Sequence, residues 1–163
     1  MLRLRDTIHR LSLKSIYYAL IHPYIEYCLP IYGGTYEVHL NPLFVLQKSA
    51  LRAINNAGYY DETNILFYNS KILKLHDLYK LDLAVYLYKH PEIRDSHRRI
   101  HSYPTRFSSE LLPPMERLRS SSQSVIYNAI NIWNSLPSDL QNSTSLDIFK
   151  TRYKELLFAQ YVS

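Results

Sequence analysis

Apolar residues spaced three and four apart, punctuated by Pro, Asn and Gly, constrain this chain more than any other feature. The clearest run is Leu40, Leu43, Phe44, Leu46, Ala50, Leu51 and Ile54, flanked by Lys48 and Arg52, which is the spacing of one wide helical face. Thr35 is expected to cap this helix. It should stop near Asn55-Asn56-Ala57-Gly58, where Asn and Gly tolerate the left-handed backbone of a C-cap. Upstream, Leu4, Ile8, Leu11, Tyr17, Leu20 and Tyr24 predict an earlier helix, with Ser12 capping its stronger half. Pro23 permits at most a kinked continuation, and Gly33-Gly34 ends the element.

Thr63 opens a short helical turn through Phe67. Leu73, Leu75, Leu78, Tyr79, Leu81, Leu83, Ala84, Tyr86 and Leu87 then predict a helix that is apolar nearly all round, ends by His90-Pro91 and is buried between others. From Pro91 to about Ser122, charge, Pro and Ser replace the periodic pattern, as in a linker or extended arm. Ser124 to Asn134 and Leu146 to Phe158 form a final helical pair, with Leu136-Pro137 as the stop between them and Ser145 as the second cap. The class is therefore all-α, since no run of β-branched strands is present. The organisation is a helical bundle over 1–92, a basic linker arm over 93–122 and a C-terminal helix pair over 123–163.

Composition narrows the chemistry. Nearly half of the 163 residues are apolar and a fifth are charged, which is folded material. The net charge of +5 favours polyanions without naming one. A single Cys28 excludes an internal disulfide and a multi-thiolate zinc site, and points to a reducing, intracellular compartment in the cytoplasm or nucleus. The most apolar stretch, Ile16 to Tyr32, is interrupted by His22, Pro23, Glu26 and Pro30, so no membrane span is expected.

Three glycines are too few for a Rossmann fingerprint, a Walker loop or a nucleophile elbow, and no cofactor is expected. Tyr59-Tyr60-Asp61-Glu62 mimics the Tyr-x-Asp-Asp box of polymerases, but it lies between a helix C-cap and Thr63, where acidic residues are explained by the helix dipole. His97 and His101 have the i, i+4 spacing of metal ligands; Arg98 and Arg99 between them argue for a basic arm that touches phosphate or is simply solvated. The sixteen tyrosines suit either base stacking or core packing, and most fall on apolar helical stripes.

Taken together, "LKSIYYALIHPYIEYCLPIYGG" (Leu13 to Gly34) and "LNPLFVLQKSALRAI" (Leu40 to Ile54) resemble the stretch after the catalytic palm in reverse transcriptases of non-LTR, jockey-like retrotransposons. That family's pattern reads here as Ile16-Tyr17, Leu20-Ile21, Pro23, Tyr27, Leu46-Gln47-Lys48 and Leu51-Arg52. The likeness continues through "LKLHDLYKLDLAVYLYK", "HSYPTR" and "WNSLPSDLQNSTSLDIFKTRYKELL", and so spans nearly the whole chain. The chain departs from the pattern at Cys28, where the family commonly has Gly, and at Tyr32, where it has Trp. It also lacks fingers, palm and the catalytic Asp pair.

The resemblance implies a non-catalytic thumb and post-thumb segment of an RNA-directed DNA polymerase. Its partners would be an RNA or DNA template-primer duplex, bound weakly and with strong salt dependence, and an upstream palm. Grip independent of sequence needs cations on rigid helical faces. Arg10 with Lys14 and Lys48 with Arg52 have that i, i+4 spacing, and Arg98, Arg99 and Arg106 lie in the arm. For any one of them a solvated bundle face is an equal reading.

Tyr17, Tyr27, Trp133, Leu136, Pro137 and Phe149 are expected as structural anchors, Trp133 sharing a face with Ile126 and Ile130. The alternative function is a stand-alone helical protein-interaction module derived from a retroelement, self-associating through an apolar patch that includes Leu81 or Leu83. A small-molecule enzyme lacks any convergent catalytic set.

Overall fold

The computed structural model describes residues 7–97, 110–114 and 124–162, and it is all-α, with no strand among the described residues. The elements in chain order are α1 (Arg10–Ile16), a π-helical segment (Tyr17–Ile21), α2 (His22–Glu26), α3 (Leu29–Tyr32), α4 (Glu37–Asn55), α5 (Thr63–Ser70), α6 (Leu75–Lys89), α7 (Pro91–Ser96), α8 (Val125–Asn134), α9 (Ser138–Gln141) and α10 (Leu146–Ala159). Packing groups them into two compact units. One comprises Met1–Leu29, Thr35–Leu78 and Lys154–Ser163; the other comprises Pro30–Gly34 and Tyr79–Tyr153.

In the first unit the entry helix differs from its expected course. The His9 ring, not Ser12, caps α1, its Nδ1 accepting from the Leu11 N–H at 3.3 Å. Pro23 explains the π-helical segment ahead of it. In a regular α-helix its ring would clash with the carbonyl four residues back. The wider π turn, closed by the His22 N–H on the Tyr17 carbonyl, lets Pro23 sit in the first turn of α2, where a missing donor costs little.

The extra residue shifts the apolar phase by one position. From the π turn on, Ile25 and Leu29 are buried whereas Leu20 and Tyr24 of the expected stripe are exposed; ahead of it Leu13 and Tyr17 are buried and Leu11 is exposed. Tyr27, expected as an anchor, is 77% exposed because the chain leaves α2 there and turns through Cys28, whose φ is +57°.

Helix α4 begins after Tyr36 rather than on a Thr35 cap and ends as expected at Asn56, in the left-handed region at φ +50°. The Ala57 N–H returns to the Arg52 carbonyl at 2.9 Å, which closes the C-terminus. Its core face is Leu40, Gln47, Ala50, Leu51, Ala53 and Ile54; Leu43 and Leu46, expected on that face, are exposed.

Gln47 is the polar centre of this unit. Its Nε2 donates to the Tyr17 hydroxyl at 3.0 Å and to the Leu73 carbonyl at 2.9 Å, and its Oε1 accepts from the Leu75 N–H at 2.9 Å. One amide thus joins the π-helical segment, α4 and the start of α6. Burial pushes the Tyr17 hydroxyl up to about 12, against the Gln47 hydrogen bond, which acts in the opposite direction. Nearby, Tyr161 donates to Asp77 Oδ2 at 2.6 Å, and its oxygen accepts from the Lys74 N–H at 3.0 Å.

In the second unit, Trp133 answers to its expected role. It is buried with Ile130, stacks on Phe149 at 5.9 Å and carries the Arg94 guanidinium over its ring at 4.9 Å. Leu136 and Phe149 are buried as expected, while the exposed Pro137 acts through the backbone as the residue before α9. Gln141 Nε2 caps the end of α8 by donating to the Trp133 carbonyl at 2.7 Å. Ser124 and Ser145 accept from the Tyr127 and Ile148 N–H groups, as N-caps of α8 and α10.

The expected arm is partly structured. Pro91–Ser96 is helical, and Leu111 is buried, its N–H and carbonyl both held by the Asn134 amide at 3.0 and 2.8 Å. Helix α6 is buried nearly all round, and Leu81 and Leu83 are in the core. Neither side chain is exposed for self-association.

Two substitutions test this account. Replacing Gln47 by Ala strands the Leu75 N–H, the Leu73 carbonyl and the Tyr17 hydroxyl, and should lower stability in urea unfolding by about 2–4 kcal/mol. Cys28→Gly relieves a left-handed residue and should raise it by about 0.5–1 kcal/mol, whereas Cys28→Val should lower it.

Candidate nucleic-acid interface

Four of the seven expected cations lie in the first unit, on α1 and α4; Arg98, Arg99 and Arg106 fall outside the described residues. Arg10 is exposed and Lys14 half-buried, one turn apart on α1, next to Leu13 and Tyr17 that seat this part of the chain in the core. Lys48 and Arg52 are half-buried, one turn apart on α4. None of the four has a carboxylate partner among the described residues.

The α4 cations rest on aromatic rings instead. Lys48 Nζ lies 4.3 Å from the centre of Phe44, which stacks on the buried Phe67. The Arg52 guanidinium lies 5.6 Å from the centre of Tyr59. A ring face attracts a cation without cancelling its charge, so these side chains are held in place and keep a positive field for an anion. Lys71 also lies over rings, those of Tyr68 and Phe158 at 4.0 and 5.4 Å, and Lys74 lies over Tyr161 at 4.0 Å. Tyr161 beneath Lys74 and Phe158 beside Lys71 are remote from them in the sequence, whereas Tyr68 is one helical turn from Lys71.

Two glutamates of this unit meet histidines. His22 meets Glu26 at 3.1 Å, and His76 meets Glu37 at 3.1 Å. Burial holds the His22 pKa below its usual value, and Lys154 adds to this while Glu26 opposes it. His22 is therefore neutral at pH 7 and adds nothing to the basic surface.

The two motif mimics are accounted for locally. Asp61 Oδ2 accepts from the Gly58 N–H at 2.7 Å, which closes the turn between α4 and α5, and Glu62 is the residue before α5. His97 exchanges contacts with Leu112: the Leu112 N–H donates to the His97 carbonyl at 2.7 Å, and His97 Nδ1 lies 3.0 Å from the Leu112 carbonyl. His101 lies outside the described residues. Among the described residues no cluster of His, Cys, Asp or Glu is suited to a metal ion, and no helix is long and apolar enough to cross a membrane.

The tyrosines divide between both readings. Tyr17, Tyr153 and Tyr161 are core residues, whereas Tyr24, Tyr27, Tyr36, Tyr59 and Tyr60 are exposed, Tyr60 at 95%. Pro23, Tyr24 and Tyr27 line a shallow depression of about 320 Å³. No protein-family model, curated protein or solved structure matches this chain.

The lowered His22 pKa fixes the sign of a pH effect. The unfolded chain binds a proton at this residue more readily than the folded one, so its contribution is complete above about pH 6.5 and is lost as pH falls through the folded value. Urea midpoints taken from pH 7.5 to pH 5 should fall for the native sequence, and fall less for His22→Gln.

Proposed function

We propose that this chain is the thumb and C-terminal segment of a non-LTR retrotransposon reverse transcriptase, holding template-primer duplex through its phosphate backbone with no catalysis of its own. The observation that carries the reading is the set Arg10, Lys14, Lys48 and Arg52, which are spaced by single helical turns and have no carboxylate partner among the described residues. Their helices belong to a unit fixed by the buried Gln47, so the charges stand on a rigid base. Contacts of this kind release counterions and give affinity without base readout.

The backbone lends a second support. Cys28 stands where the resembling proteins carry Gly, and its φ of +57° is a conformation that favours Gly. On this reading the upstream partner is the polymerase palm, and the free, exposed Cys28 suits a reducing compartment, the cytoplasm or nucleus. The alternative, a helical protein-interaction module, is favoured by the exposed apolar side chains Val38, Val45 and Leu46 on α4.

Fluorescence anisotropy with a labelled primer-template duplex separates them. For about four phosphate contacts, log affinity against log salt should have a slope of roughly −3 to −4, and Lys48→Ala with Arg52→Ala should reduce its magnitude by about two. A flat salt response, or a slope unmoved by those changes, rules out the grip.

A further inference from the structure

The outer face of α4 carries an apolar strip. At the helical repeat of α4, Val38, Pro42, Val45 and Ser49 fall in one line with Leu46 beside it, and Val38, Val45 and Leu46 are 78%, 47% and 65% exposed. Along one edge of the strip stand Glu37 near its start and Lys48 near its end. Glu37 reaches His76 with one oxygen, and Lys48 lies over Phe44 with no carboxylate partner among the described residues.

We infer that α4 is a self-association surface, on which a second copy of this chain packs its own α4 antiparallel. A two-fold axis through the level of Pro42 and Leu43 sets Val38 of one copy against Val45 and Leu46 of the other. In an antiparallel helix pair each edge meets the same edge of its partner, so Glu37 comes opposite Lys48 of the second copy. The symmetry forms that opposite-charge contact twice.

The acidic and basic residues are placed symmetrically about the middle of the apolar strip, and this self-complementarity selects a second copy over other occupants. A polyanion would gain nothing from Val38, Val45 and Leu46 and would be repelled by Glu37. The dimer and the proposed phosphate grip share Lys48 and would compete for it; the test of the dimer contains no nucleic acid, so the two can fail separately.

Sedimentation equilibrium of the full chain at low salt, across the micromolar range, should show the mass rising from 19.3 kDa towards twice that value. Val45→Glu, at an exposed position, should stay monomeric with unchanged helix content by circular dichroism. Glu37→Lys and Lys48→Glu should each weaken the dimer about five- to tenfold, because each loses two contacts. The double exchange should restore the dissociation constant to within about twofold, regardless of the lost His76 contact. A monomer at every concentration overturns the inference. So does a dimer that ignores Val45→Glu or that the double exchange fails to restore.

Discussion

The side-chain amide of Gln47 is the interaction on which the first unit depends. The segment that opens α6 has no Ser, Thr, Asp or Asn to cap it, because Lys74 precedes Leu75. Its first donors are met from far along the chain, the Leu75 N–H by Gln47 and the Lys74 N–H by the Tyr161 hydroxyl. A helix end satisfied in this way is completed only when α4 and the C-terminal turn are in place. The same amide holds the hydroxyl of Tyr17, so the π turn forced by Pro23 is bound to the same point.

The electrostatic character of the unit follows from where its charges found partners. Lys48, Arg52, Lys71 and Lys74 lie over aromatic rings, while Glu26 and Glu37 lie against His22 and His76. His22, neutral at pH 7, adds nothing to the lysine and arginine charge. Lys48, Arg52 and Lys71 stand over ring faces, which hold a cation in place without cancelling its charge.

Features fixed by neighbouring residues were legible in the sequence. The all-α class, the stop at Asn56, the Ser124 and Ser145 caps and the burial of Trp133 and Phe149 depend on spacing and cap chemistry within a few residues. The phase of the first helix was not legible, because a Pro in a helical pattern signals a kink, whereas Pro23 acts by inserting a residue into the turn before it. Gln47 sits at a core position that polarity alone argues against, since its three partners lie 26 to 30 residues away. For the candidate interface the i, i+4 pairs were visible, but not the Tyr59 ring beneath Arg52, nor the Phe158 and Tyr161 rings beneath Lys71 and Lys74.

The Tyr161–Asp77 hydrogen bond spans 84 residues and draws the last helical turns into a unit otherwise built from the first half of the chain. During synthesis on a ribosome that unit has its hydrophobic centre long before it has its final segment, and the whole of 79–153 must emerge in between. The earlier residues must therefore wait, with the socket for Tyr161 open, through the production of residues 79–153. The time spent in that half-built state, rather than the strength of the finished fold, is the interval in which the nascent chain is most exposed to aggregation and to chaperones.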